Sequence, residues 1–381
     1  MASAYFDAAG ITRLADITGL DRIGIPTILA VRPNGKTLSV SAGKGISVPA
    51  AMASAAMESI ELHQAEFFIL PSVRASWREM AKNTVIIPAE LLPLSKNSLF
   101  TKDWPYHWSM GWDIAAQREV ATPQYIVNMD KSVSNRTELG AFQVTSNGLA
   151  SGNNFLEALT AGLLEVVERD AATLTLLPWQ AGKTAPALIR TQSIADPVLR
   201  DLLDRIAAAR AEILLFDCRV DTEIPVFVAV LRDLDDPEIG LYRGSGAHLD
   251  PVVAASRAIT EAVQSRAVYI AGSRDDLFKQ GHFHLRQTDP LAVVANLTRD
   301  APLMDWPFGE TEATDSFEGD VAVILGKLDA VGLSSVIVHD LTGPACPVSV
   351  LKVVVPGAEG VHSEWYMPGP RARARMGRFG Q

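Results

Sequence analysis

A chain of 381 residues, 48% of them hydrophobic, can build a substantial core and has the length of one large domain or of two to three ordinary ones. Its 44 acidic against 34 basic residues leave a formal charge of −10, which excludes the basic stripe of a nucleic-acid surface. No apolar run approaches the roughly 18 residues of a membrane helix, the opening MASAYFDAAG lacks the hydrophobic stretch of a secretion signal, and two cysteines, Cys218 and Cys346, without CxxC spacing fit a reducing cytosol.

In chain order, PTILAVRP and TLSVSAGKG predict a strand pair across the turn Pro33-Asn34-Gly35-Lys36. A helix over about Pro49 to Phe68 follows. The aromatic stretch with Phe100, Trp104, Tyr106, His107, Trp108 and Trp112 is expected to pack in the core rather than line a peptide groove, and PQYIVNMD reads as a strand. A second helix runs beyond Phe155; DPVLRDLLDRIAAARA then has the spacing of an amphipathic helix, and EILLFDCRV and IPVFVAVLRD read as adjacent buried strands. A third long helix precedes a polar stretch from Arg274 to Gln287, where His282 and His284 are too isolated for a metal or catalytic pattern. GDVAVILGKLDAVG and SSVIVHDL close an α+β pattern as helix and strand. The expectation is one domain over 1–370 and a flexible tail over 371–381, where Arg371, Arg373, Arg375 and Arg378 stand among Gly and Ala.

The three long helices share a feature. At 100° per residue, Ser54, Glu58 and Glu61 fall within about 60° of one another, Glu157, Ala161, Glu165 and Glu168 within about 80°, and Arg257, Glu261 and Gln264 within about 60°. The flanking positions, such as Ile60, Leu163, Leu164, Val167 and Val263, are mostly apolar, so each stripe is set in a helix buried on much of its circumference. Paired buried carboxylates cost several kcal/mol unless compensated. A bound cation is the economical partner, and Mg²⁺, which takes hard oxygen ligands and keeps water and phosphate in its shell, suits the donor set.

Each stripe follows a similar lead-in, a strand and a glycine-rich turn: SVSAGKG, GLASGNN and LYRGSGAH. Gly45 precedes Glu58 by the same interval as Gly152 precedes Glu165, and the third unit is two residues longer. Such turns entering helices suit phosphate, although GKG or GSG alone is more often only a turn. Neither GxxxxGK[ST] nor a strand-GxGxxG-helix unit is present.

The blocks ITRLADITGLDRIGIP (Ile11 to Pro26), GKG with SAAMESIE (Ser54 to Glu61), TSNGLASGNNFLEALTAGLLEVVERDA (Thr145 to Ala171), ITEAVQSR (Ile259 to Arg266) and VVVPGAE (Val353 to Glu359) resemble the YcaO superfamily, in order and along most of the chain. The resemblance implies the YcaO-type α+β fold and an enzyme that uses ATP and Mg²⁺ to phosphorylate a peptide-bond oxygen, which then yields an azoline, a thioamide or an amidine. It makes Glu58, Glu61, Glu165 and Glu168 metal-binding carboxylates, with Glu58 also at the nucleotide. Lys44, Ser54, Asn153 and Glu157 match nucleotide positions, and Arg169 matches the phosphate-contacting Arg of ExxER. Arg257, as a catalytic residue, and Gln264, at the nucleotide, are added from the helical stripe.

This chain departs from the family pattern twice: Leu62 follows Glu61 where an Arg is usual, and the ending MPGPRARARMGRFGQ lacks the PxPxP of azoline-forming members. The opening resembles members that work with a TfuA-like partner. Thioamide formation on a peptide or protein substrate, by a cytoplasmic homodimer with a TfuA-like partner, is therefore the leading expectation. An azoline cyclodehydratase is the alternative, and a non-catalytic ATP-binding scaffold is disfavoured by the complete set of glutamates.

Overall fold

A computed structural model of the chain describes residues 2–130, 132, 140–236, 239–273, 290–360 and 366–378. The polar stretch with His282 and His284 lies outside the described residues. In order, the main elements are β1 (Arg13–Asp16), β2 (Thr27–Val31), β3 (Val40–Lys44), α1 (Val48–Phe67), β4 (Val73–Ser76), β5 (Pro105–Asp113), β6 (Arg118–Pro123), β7 (Leu149–Gly152) and α2 (Phe155–Gln180). There follow β8 (Ala187–Ile189), α3 (Pro197–Ala208), β9 (Ala211–Asp217), β10 (Val226–Asp233), β11 (Leu241–Ala247), α4 (Pro251–Ala271), β12 (Leu303–Met304), α5 (Phe317–Ala330), β13 (Ile337–Asp340), β14 (Ser349–Val354) and α6 (Pro370–Arg378).

Three sheets result, with orders β1-β2-β3, β4-β5-β13-β14-β7 with β6 also on β5, and β11-β10-β9-β8-β12. Pairing is antiparallel except for the parallel β8–β12 contact. In β10, Phe227, Ala229 and Leu231 face α3 and α4, while Val226, Val228 and Val230 face the core around α2 and α5. A strand buried on both faces reads as a continuous apolar run, which is what IPVFVAVL is. Helix α2 lies between the second and third sheets, against β7 and β14 on one side and β10 and β11 on the other. That position explains why its sequence is apolar almost all round except for the glutamate stripe.

The long helices start where side chains satisfy their first amides. Ser47 accepts from Ala50 N with Pro49 in the first turn, Asn154 accepts from Glu157 N, and Asp250 accepts from the amides of Val252 and Val253 with Pro251 behind it. Helix α4 stops at Gly272, which adopts a left-handed φ of 59°. The β2–β3 hairpin forms as expected, with Thr27 opposite Lys44 and Val31 opposite Val40. Its turn is tied to the end of α1 by Glu66. That buried carboxylate accepts from Arg32 Nη1 and Nη2 at 2.6 and 3.0 Å and from the amides of Lys36 and Thr37 at 3.0 and 2.9 Å. Both partners of the ion pair are at most 2% exposed, so the hairpin, and Lys44 at its end, is held rigidly against α1.

Two local expectations are corrected. PQYIVNMD is not a strand: β6 ends at Pro123, and Gln124–Val127 is a short helix. Ile126 and Val127 are buried there, and a short apolar run does not by itself distinguish a strand from a helical turn. The Arg-rich C-terminal segment is not loose over its described part. It forms α6 against α2, and Arg371 donates from Nη2 to Asp170 Oδ2 at 3.0 Å and to Asp221 Oδ1 at 2.7 Å. Polar composition hides this because the partners, Asp170 and Asp221, are about 200 and 150 residues away in sequence. Among the aromatics, Tyr106 and Trp108 are buried and pack with Phe100 and Phe142, whereas Trp104 and Trp112 are exposed. No helix among the described residues is long and apolar enough to cross a membrane.

Candidate active site

The three lead-in turns have a packing cause. A Cβ on Gly43 would lie 2.1 Å from Ala55 N and 2.2 Å from Ala51 O; one on Gly152 would lie 2.4 Å from Ala158 N, and one on Gly244 2.2 Å from Ala258 O. Each strand therefore rests directly on the backbone of the helix that follows it, at the small residues of that helix. The units also interlock, since α1 packs on β7, α2 on β11, and α4 back on β3. The ring closes with the glutamate stripes facing inward.

They line a cavity of about 1190 Å³. Lys44, Ser54, Glu58, Glu61, Glu165, Glu168, Arg169, Arg257 and Gln264 all border it, so nine of the residues singled out from the sequence meet there. Asn153 and Glu157 do not. They pair with each other across the first turn of α2, Asn153 N donating to Glu157 Oε2 at 2.9 Å. Glu157 has the right angular position, but it lies eight residues from Glu165, about 12 Å along the helix axis.

Glu61 Oε1 accepts from Ser151 N at 2.9 Å and from Ser151 Oγ at 2.6 Å. Burial nevertheless pushes its carboxyl up to about 8, with Glu58 and Glu165 adding repulsion. Glu165 is pushed up to about 7, first by burial and then by Glu168, against the pull of Arg169. Glu168 accepts from Ser245 Oγ at 2.6 Å. Arg169 stands 3.8 Å from Glu168 and 4.0 Å from Glu165; burial opposes its charge, but Glu168, Glu165 and Glu261 together hold the guanidinium above its usual range. Its Nε is buried without a hydrogen-bond partner.

Three residues of the cavity were given no role from the sequence. Glu261 belongs to the third stripe and is ion-paired with Lys44; burial opposes its ionisation, but Lys44 and Arg169 hold its carboxyl below the usual range. Arg243, on β11, lines the cavity near Arg169, and burial together with that like charge lowers its affinity for the proton. Ser151 holds Glu61 from β7. A hydroxyl or guanidinium on a strand carries no periodic signal, so only the assembled ring discloses them. Cys218 is buried, with its thiol pushed far up by burial, and Cys346 is half-buried and also raised by burial, so neither has the character of an activated nucleophile.

The donor set fits a hard divalent cation with a polyphosphate. Two carboxyls are short of positive charge, all the candidate ligands are oxygens, and the guanidiniums of Arg169 and Arg243 border the same cavity with charge suited to an anion. Among the described residues, no three such side chains are already gathered as a coordination sphere. The glutamates share the cavity but rest on Ser151, Ser245, Arg169 and Lys44.

Fold and site thus define an α+β protein with an acid-lined cavity built from three related strand–helix units, of neither P-loop nor Rossmann type. The chain belongs to the YcaO family, whose model, described as an ATP- and Mg²⁺-binding YcaO cyclodehydratase, matches residues 42–359. Membership brings the cofactor pair of that description, ATP and Mg²⁺. A Rhizobium leguminosarum bv. trifolii protein described as an uncharacterized protein in the tfuA 3' region is 36% identical over 374 residues, covering 95% of this chain and 87% of that protein. The structure of YcaO from Methanopyrus kandleri bound with AMPPCP and Mg²⁺ is similar at a TM-score of 0.73 with 22% identity, covering 96% of this chain and 93% of that one. A heterocyclase in complex with substrate and cofactor is similar at a TM-score of 0.77 with 23% identity, but this chain spans only 50% of it while being covered to 92%.

Proposed function

We propose that this chain binds MgATP in the ring cavity, transfers the γ-phosphoryl group to a backbone amide oxygen of a peptide or protein, and serves thioamide formation. The observation that carries the reading is the convergence of the glutamate stripes on one cavity, with Glu61 and Glu165 short of compensating charge beside Arg169.

In this reading Glu58, Glu61, Glu165 and Glu168 hold magnesium, which when bound neutralises charge on the phosphates. Ser54 and Lys44 border the nucleotide. The guanidinium of Arg169, which borders the cavity, meets charge that grows on the transferring group. Arg257 and Gln264 flank it on α4, and Arg243 adds a second guanidinium from β11. Asn153 and Glu157 orient the entry of α2 rather than touching the nucleotide. The amide oxygen attacks the γ-phosphorus and ADP leaves. A sulfide equivalent then adds to the activated carbon, and the former amide oxygen departs within phosphate. The chain need supply no nucleophile of its own, which agrees with the inert settings of both cysteines.

The tfuA-region relative supports the thioamide branch and a TfuA-like partner. A mass spectrum of a precursor peptide treated with ATP, Mg²⁺, a sulfur donor and that partner tests it. The expected product is heavier, by replacement of oxygen with sulfur. A product lighter by one water, formed without any sulfur source, would replace this branch with azoline formation.

A further inference from the structure

The three units of the ring are alike in build but not in charge. Gly45, Gly152 and Gly246 are equivalent, since a Cβ on each would strike the following helix at Ala50 and Ala51, at Glu157 and Ala158, and at Ala254 and Arg257. The residues just before them are Lys44, Ser151 and Ser245. Each faces the helix of the preceding unit in the ring. Ser151 donates to Glu61 on α1 at 2.6 Å, and Ser245 donates to Glu168 on α2 at 2.6 Å.

At the third junction both partners are exchanged. Lys44 takes the serine position and pairs with Glu261 on α4, while Gln264 takes the position of Glu61 and Glu168 and donates its amide to Ala42 O. The helix pair Glu58/Glu61 carries two negative charges when ionised, and Glu165/Glu168 carries two against the one guanidinium of Arg169 beside them, so both keep net negative charge for a divalent cation. At the third junction a single carboxylate meets a single ammonium, and the charge is already zero. A neutral amide there also offers only a weak oxygen ligand, and in this structure its NH₂ group is turned to the Ala42 carbonyl.

We infer that Lys44 is a tethered cation occupying the third of three equivalent cation stations, so that the ring holds one divalent ion fewer than its symmetry offers. The ammonium, held by the hairpin that Glu66 anchors, gives the cavity a fixed sense: two sides that take exchangeable metal and one side that does not. This makes Lys44 a residue that sets metal stoichiometry. The inference rests on the magnesium-binding reading proposed above.

The test is Mn²⁺ binding to the full-length protein with a non-hydrolysable ATP analogue, with free Mn²⁺ counted by electron paramagnetic resonance. Restoring the composition of the other stations in Lys44→Ser/Gln264→Glu is expected to raise the number of bound ions by one per chain, and Lys44→Arg is expected to leave it unchanged. The same number in the double variant and the unaltered protein would overturn the inference alone. No bound Mn²⁺ in the unaltered protein would overturn the magnesium reading and this inference with it. Should the double variant not fold, Lys44→Met provides the check, because Mn²⁺ is expected to raise its melting temperature more than that of the unaltered protein. An equal rise would contradict the assignment.

Discussion

Glu61→Gln protein, freed of metal, is expected to melt at a higher temperature than the unaltered protein at pH 8, by a much smaller margin at pH 5, and to lose magnesium-dependent ATP binding by at least about 100-fold, the upper end for removing even an outer-shell partner of a metal. The stability arm follows from the raised carboxyl. An ordinary glutamate near 4.5 is ionised in the unfolded chain above that pH, whereas Glu61 in the fold keeps its proton up to about 8. Between those values the native state binds a proton that the unfolded state lacks, so stability falls as pH rises through the window. Glutamine does not ionise and escapes the fall, while still accepting from Ser151. Stability gained where function is lost is the mark of a group kept for a ligand. Scanning calorimetry in chelator at the two pH values, with nucleotide titrations at pH 8, reads both arms. A lower melting temperature at pH 8 with unchanged nucleotide affinity would make Glu61 a structural partner of Ser151.

Arg169→Lys is expected to lower kcat by about 10²- to 10³-fold, the range for removing one preorganised donor from a developing charge, while ATP affinity changes by only a few-fold. The guanidinium is wedged between Glu165 and Glu168 at 4.0 and 3.8 Å, with its Nε buried and making no hydrogen bond. A lysine ammonium keeps the charge but does not place two N–H groups in one plane toward a phosphoryl oxygen. Single-turnover and equilibrium-binding measurements separate the two quantities. Equal losses in both would assign Arg169 to ground-state binding, and a loss of thermal stability with normal turnover would assign it to the helix ion pairs.

The parts of the site legible in the sequence are those carried by helices. The period of 3.6 residues places Ser54, Glu58 and Glu61, or Arg257, Glu261 and Gln264, on one face whatever surrounds them, and α1, α2 and α4 all turn those faces into the cavity. Glu157 shares the angular position of Glu165 but does not border the cavity, since the angle says nothing about height along the axis. Pairings over long sequence distances were not legible. Lys44 meets Glu261, Ser245 meets Glu168, and Arg371 meets Asp170 only because the ring closes and α6 folds back. A glycine-rich turn entering a helix suits phosphate but is more often only a turn, and Gly43, Gly152 and Gly244 are where strands lie against helix backbones. Sheet order was also hidden, since the apolar runs of β9 and β10 declare burial but not neighbours.

Oxygen tracing tests the central claim most directly. A precursor peptide carrying ¹⁸O in its backbone amides is incubated with the protein, ATP, Mg²⁺, a sulfur donor and the partner protein, and the released inorganic phosphate is analysed by mass. If the cavity phosphorylates an amide oxygen that then leaves, each modified amide delivers its ¹⁸O to phosphate, and label and modified peptide rise together. Modified peptide with unlabelled phosphate would contradict the account, because ATP would then be hydrolysed by water and the amide activated by some other route.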